Sequence, residues 1–238
     1  MKIALFGYGK MGKEIESIAI QRGHEITLKV NSETRLSAIS LEQVDMVIEF
    51  TKPSLALNHI EFCLNHSKPI VVGTTGWNES LLQVEDMVEK NSGSLLHASN
   101  FSVGVNLFFE LNKHLAKLMG NHSDYVATMQ EIHHLQKLDA PSGTAITLAE
   151  GILENHSNYN DWKLKDQNPP ADHQLEIEAI RTPDVPGTHV VSYISEIDQI
   201  EIKHVANNRK GFALGAVLAA EFLLHKKGMY TMKDVLNF

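Results

Sequence analysis

The strongest constraint on the fold lies in the opening residues. Lys2–Phe6 is a short apolar run that stops at glycine, and Met11–Arg22 at once takes up a helical spacing of apolar residues. The pattern repeats. His24–Val30 and Val44–Phe50 are strand-like, and Ser54–Asn65 is helical. Pro69–Val72 leads into Gly73-Thr74-Thr75-Gly76, a helical stretch covers Asn78–Lys90, and Ser94–Ala98 is another short strand. Apolar strands alternating with helices predict an α/β fold of βαβ units, with a parallel sheet covered on both faces. Its crossovers are right-handed, and ligands bind at the carboxyl ends of its strands.

Beyond residue 100 the rhythm changes. A long helix over Val103–Leu118 is followed by a strand over Tyr125–His133 and a helix over Gly143–Glu154. HQLEIEAIR, THVVSYIS and DQIEIKHVA then follow as strands with no helix between them, which suggests hairpins and a mixed or antiparallel sheet. An amphipathic helix over Gly211–His225 comes last. Two domains are expected: 1–104, with the C-terminal helix region 212–238 packing back on it, and 105–211. The hinge is placed near Ser99–Val105.

Composition narrows the function. Formal net charge is -8 over 238 residues, which argues against a general nucleic-acid binder, since a phosphate backbone needs a basic surface. An anionic ligand would therefore need local cations or backbone N–H donors. The one cysteine, Cys63, excludes an internal disulfide and fits a cytoplasmic location. No run reaches about 18 apolar residues, so no membrane span or membrane partner is expected.

Gly7-Tyr8-Gly9-Lys10-Met11-Gly12 fits G-x-G-x-x-G between a strand and a helix, the context a dinucleotide site requires. Gly7 makes the tight turn, Gly9 lets backbone approach a pyrophosphate, and Gly12 lets helix pack on strand. The helix N-terminus offers N–H groups and a positive dipole end to phosphates. The competing reading is a tight turn without a ligand. Gly73–Gly76 and Ala98-Ser99-Asn100-Phe101 follow later strands on the same rim. Either they line the nicotinamide half of the site, or they are ordinary turns rich in good capping residues.

The densest chemistry is EIHHLQKLDAPSGTA, Glu131–Ala145. His133 and His134 would point to opposite sides of a strand, which disfavours joint metal ligation, and no metal is expected. Lys137 follows four residues later, and Asp139–Thr144 reads as a turn into a helix start whose Gly143 and Thr144 amides suit a carboxylate. Two imidazoles, an ammonium and an anion-binding helix end suit a carboxylated substrate, with a histidine as general acid.

These residues resemble the signature of the dihydrodipicolinate reductase (4-hydroxy-tetrahydrodipicolinate reductase) family. Similar segments run through the chain: DMVIEFTKP, GTTGW, SNFSVGVN, Arg181 with Gly187-Thr188-His189, and IEIKHVANNRKGFALGA. The resemblance implies a Rossmann-like dinucleotide-binding domain and an α+β domain that binds substrate and assembles a homotetramer. It implies reduction of a cyclic dicarboxylate by NADH or NADPH, in lysine and diaminopimelate biosynthesis. By the same resemblance His133 is the acid–base histidine and Lys137 its catalytic partner. His134, Gly143 and Thr144 would bind substrate carboxylates. Gly7, Tyr8, Gly9, Lys10, Met11, Gly12, Gly73, Thr74, Thr75, Ala98, Ser99, Asn100 and Phe101 would hold the cofactor.

The chain departs from that pattern after its second strand. Where family members often carry an acid for the ribose hydroxyls, it reads Lys29-Val30-Asn31-Ser32. Neutral Asn31 can bond a hydroxyl without repelling a 2′-phosphate, so both cofactors are expected to work. Two rival readings are another two-domain nicotinamide oxidoreductase and a dinucleotide sensor without catalysis. Neither supplies a reason for the His-His-x-x-Lys loop.

Overall fold

A computed structural model describes all residues from Met1 to Phe238. In chain order the elements are β1 (Lys2–Phe6), α1 (Lys10–Gln21), β2 (Glu25–Val30), β3 (Met46–Glu49), α2 (Pro53–Asn65) and β4 (Ile70–Val72). Next come α3 (Leu81–Lys90), β5 (Ser94–His97), α4 (Val103–Met119), β6 (Val126–His133), α5 (Gly143–Leu153) and β7 (Asp161–Leu164). The last are β8 (Gln174–Arg181), β9 (Gly187–Ile194), β10 (Gln199–Ala206), α6 (Lys210–Leu223), β11 (Gly228–Tyr230) and α7 (Met232–Leu236). Two compact units result: Met1–Val103 with Arg209–Phe238, and Gly104–Asn208.

The first unit holds a six-stranded, wholly parallel sheet in the order β11-β5-β4-β3-β1-β2. Alternate strand residues feed two cores. Ile3, Leu5, Ile48 and Leu96 pack with Ile15, Ala19, Ala216 and Ala220 of α1 and α6. Ala4, Phe6, Val47 and Leu95 pack with Ile60, Leu64, Val84 and Val88 of α2 and α3. Burial on both faces is why these strands read as unbroken apolar runs. The chain leaves β1 first for β2 on one side and later for β3 on the other. The carboxyl ends part there, which is where such sheets take ligands.

The C-terminal segment differs from the expected single helix region 212–238. Helix α6 stops at Leu223, and Gly228–Tyr230 then adds a parallel edge strand to β5 before the short α7. Three residues carry no readable period. Pairing with Ser94–Leu96 makes them a strand.

The second unit holds a five-stranded mixed sheet in the order β10-β9-β6-β8-β7. Strands β6, β9 and β10 pair antiparallel, whereas β6, β8 and β7 pair parallel. Only one of the expected hairpins forms, β9 with β10. Strands β8 and β9 adjoin in sequence, yet β6 lies between them. Strand β7 was not foreseen, because DWKL is only four residues long. Along β6, Ala127, Met129, Glu131 and His133 are buried, and the intervening residues face the other side of the sheet. The core on the inner side joins Met129, Ile177, Val191 and Tyr193 to Phe108 of α4 and to Leu148 and Ile152 of α5. Burying one leucine such as Leu148 contributes about 1.5–3 kcal/mol.

Candidate active site

Period-two alternation puts a carboxylate and an imidazole into an apolar core layer. Glu131 is fully buried, and a carboxylate there must be paired. Strand register brings the partners. Glu131 stands opposite His189 across the β6–β9 ladder, and His133 opposite Arg181 across β6–β8. Arg181 Nη2 lies 3.1 Å from Glu131 Oε1. The Ser142 amide donates to both carboxylate oxygens at 3.1 Å. His133 Nδ1 is 3.3 Å from Oε2, without the alignment of a hydrogen bond, and His189 Nε2 is 3.9 Å from it. Burial alone would push the Glu131 carboxyl up. His133, Ser142 and Arg181 outweigh it and hold the group at about 2. Burial, with electrostatic repulsion from the neighbouring His133 ring, lowers His189 to about 4, so that ring is neutral near pH 7.

The same residues hold the loop between β6 and α5. Arg181 donates to the Lys137 carbonyl at 3.3 Å and the Asp139 carbonyl at 2.6 Å. Ser142 caps α5, its Oγ accepting from the Ala145 amide at 3.2 Å, and that Oγ lies 3.3 Å from His189 Nε2. Asp139 takes Lys137 Nζ on both oxygens at 2.9 Å. The Lys137 charge is therefore paired within its own loop.

Of the residues singled out from sequence, His133 is buried at the end of β6, and His134 follows it half-buried, its Nδ1 without a hydrogen-bond partner. Gly143 and Thr144 form the first turn of α5, where backbone N–H groups lack helical acceptors. Lys137 lies on the intervening loop. Glu131, Ser142, Arg181 and His189 were not foreseen as site residues. The available signal was a charged residue at a core-facing position of a strand, which demands partners elsewhere in the chain. Glu131, His133 and His189 also present ligand atoms within 4.8 Å of one another, a grouping a metal could span, which the absence of zinc-like spacing did not reveal. The carboxylate is already occupied by Arg181 and the Ser142 amide, which favours a proton-handling network over an ion.

In the first unit the glycines divide by role. A Cβ on Gly7, whose φ is +98°, would overlap the Phe50 carbonyl, and one on Gly12 would overlap the Gly7 carbonyl. A Cβ on Gly9 would meet nothing within 4 Å. Gly7 and Gly12 are thus glycine for packing, and Gly9 leaves open space at the start of α1, where helix N–H groups can meet an anion. Lys10 is exposed and Met11 half-buried. Tyr8 is bound by its hydroxyl to Glu16, and Lys29 Nζ lies 2.6 Å from Glu16 and over the Tyr8 ring. Asn31 Oδ1 accepts from the Glu33 amide and the Thr34 hydroxyl, both at 3.0 Å.

The other two rim loops are partly committed to structure. Thr74 Oγ1 accepts from the Thr51 amide at 2.7 Å, and its carbonyl accepts from Trp77 at 2.7 Å, while Thr75 is exposed. Phe101 is buried against Phe50, so only its backbone can serve a ligand. Ala98 and Asn100 are half-buried and Ser99 is exposed.

Two family models cover nearly the whole chain: "Dihydrodipicolinate reductase, N-terminus" over residues 1–101 and "Dihydrodipicolinate reductase, C-terminus" over 104–236. The chain belongs to the dihydrodipicolinate reductase family. A curated family relative, 4-hydroxy-tetrahydrodipicolinate reductase of Christiangramia forsetii, is 47 % identical over 237 residues, covering 100 % of this chain and 98 % of the relative. The fold matches that of the dipicolinate-bound dihydrodipicolinate reductase of Paenisporosarcina sp. TG-14, with TM-score 0.76, 24 % identity and 98 % of each chain covered. An amine dehydrogenase of Mycobacterium smegmatis shares the architecture more distantly, with TM-score 0.62, 10 % identity, and 98 % and 95 % of the two chains covered.

Proposed function

We propose that this chain is a nicotinamide-dependent 4-hydroxy-tetrahydrodipicolinate reductase of lysine and diaminopimelate biosynthesis, with His133 and Lys137 as its acid/base pair. The observation that carries the reading is the 47 % identity, over the whole chain, with a relative of that name. The G-x-G-x-x-G loop with open space at Gly9 supports a bound dinucleotide.

When bound, the nicotinamide supplies the hydride. The Gly7–Gly12 loop and the α1 N-terminus would hold the pyrophosphate, Asn31 would meet the ribose, and the 73–75 and 98–101 loops would serve the nicotinamide half. In the second unit, the Gly143 and Thr144 amides and His134 receive the carboxylates of the cyclic substrate at the positive end of α5. Lys137 exchanges its Asp139 carboxylate for one from the substrate. Reduction of the conjugated carbon–nitrogen system leaves an electron-rich carbon, and the His133–Lys137 pair supplies its proton.

Further features of the reading are a homotetramer in the cytoplasm. The outer face of the five-stranded sheet exposes Val126, Ile194 and Val205, which supports assembly there. No helix is long and apolar enough to cross a membrane. Light scattering should give four times the 26.5 kDa chain mass.

The deciding assay follows oxidation of NADH and of NADPH with substrate freshly generated from pyruvate and aspartate semialdehyde. Turnover is expected with both, and none with either would end the proposal. His133→Ala should lower kcat about 10²–10⁴-fold with dinucleotide affinity unchanged. Lys137→Met should raise substrate KM and lower kcat together, because a carboxylate loses a charged partner worth about 1.5–3 kcal/mol. Normal constants would make Lys137 a loop charge paired to Asp139 and nothing more.

A further inference from the structure

An imidazole can carry its proton on either nitrogen, and the group bonded to one nitrogen decides which. The environment of His133 is asymmetric. Its Nδ1 edge faces Glu131 Oε2 at 3.3 Å, inside a layer where His133 is 6 % and Glu131 0 % exposed. Its Nε2 edge faces Gly187, where an added Cβ would sit 3.1 Å from Nε2. Glu131 accepts hydrogen bonds and donates none while ionised, and Arg181 with the Ser142 amide holds it in that state. The third buried group, His189, stands beside the same carboxylate as a neutral ring and adds no competing charge.

We propose that Glu131 is the positioning residue of the acid/base site: it fixes the Nδ1–H form of His133, so that Nε2, uncovered by the missing side chain at Gly187, exchanges the proton with the substrate. The inference rests on the acid/base role given above to His133. Catalytic hydrogen bonds commonly tighten when substrate binds, and a small shift from 3.3 Å completes this one. Arg181 and Ser142 contribute to that positioning by holding the Glu131 carboxylate in place and ionised.

Nitrogen-15 NMR of the histidine rings in the full chain tests this directly. Wild-type His133 is expected in the Nδ1–H form when neutral, and finding it in the Nε2–H form overturns the proposal without any variant. Glu131→Gln replaces an acceptor by a group whose amide donates to Nδ1, so the tautomer should invert and kcat fall at least 100-fold, with dinucleotide KM within twofold of wild type. In a His133→Ala background the same Glu131→Gln change should cost less than threefold, because its target is gone. An equal cost in both backgrounds would show that Glu131 serves the fold alone. Gly187→Ala gives a second route should Glu131→Gln fold poorly: kcat should drop at least tenfold with the Nδ1–H form retained, and unaltered kcat would remove Nε2 as the working nitrogen. Full activity of His133→Ala would instead defeat the acid/base role itself, a result distinct from any tautomer outcome.

Discussion

Arg181 reaches Glu131 across two neighbouring strands at 3.1 Å, and the same guanidinium hydrogen-bonds the carbonyls of Lys137 and Asp139. One side chain therefore neutralises a fully buried carboxylate and ties down the loop that carries the lysine. Replacing Arg181 by Met should cost about 3–5 kcal/mol of stability, the range for leaving one member of a buried ion pair uncompensated. Urea denaturation would measure the loss, and hydrogen exchange should speed up over residues 137–140. A variant with an unchanged midpoint would show that solvent reaches Glu131 readily.

Gly7 and Gly9 should separate packing from binding. Gly7→Ala forces a Cβ onto the Phe50 carbonyl at φ +98°, so it should destabilise the chain by about 1–3 kcal/mol. Gly9→Ala meets no protein atom within 4 Å, so its melting temperature should stay within about 2 °C of wild type. Dinucleotide affinity should nevertheless fall at least about tenfold, equivalent to 1.4 kcal/mol. Calorimetric titration with NADH reads the second effect, and undiminished affinity would place the pyrophosphate elsewhere.

Cofactor choice should turn on the end of β2. Lys29 is engaged by Glu16, and Asn31 already caps the turn through Glu33 and Thr34, which leaves exposed Arg35 as the nearby cation. The two cofactors should give kcat/KM within about tenfold of each other. Asn31→Asp keeps the turn and adds a charge that repels a 2′-phosphate, so the ratio should move towards NADH. Arg35→Ala should harm NADPH more than NADH. A wild-type preference above a hundredfold, or an unmoved ratio in Asn31→Asp, would shift the determinant away from this strand end.

Acid should weaken the second unit through His189. Its folded value is lowered from 6.5 to about 4, so protonation favours the unfolded chain. The stability it contributes is complete above pH 6.5 and drains away as pH falls towards 4, by about 3 kcal/mol at most. Glu131, lowered from 4.5 to about 2, acts in the same direction over the more acidic window between those values. Denaturation midpoints between pH 7.5 and 4.5 should therefore fall for wild type and fall less for His189→Gln. Equal slopes would assign the acid sensitivity to other groups.

Most of the parallel sheet was legible because its information is local. Strands buried on both faces must be apolar throughout, and a turn followed by a helix start must carry glycine or a capping residue; both demands act within a few neighbouring positions. That is why Lys2–Phe6, the Gly7–Gly12 loop and the helix starting at Gly143 could be read directly. Such demands say little about pairing. β11 is three residues long and exists because β5 had an open edge, and β6 separates β8 from β9 although those two follow one another in sequence.

The candidate site divides in the same way. His133, Lys137 and the Gly143–Thr144 turn stand within one short stretch, and chemistry concentrated in a stretch declares itself. Glu131 could be seen as an acid in a core-facing position, but its partners could not: Arg181 and His189 come from strands 50 and 58 residues away, set by register alone (131 to 181 and 131 to 189). A buried charge fixes only that some compensating group must be near it. Which group arrives, and at which oxygen, is decided by how β6, β8 and β9 are laid side by side, because a one-residue slip would turn Arg181 or His189 to the opposite face of the sheet.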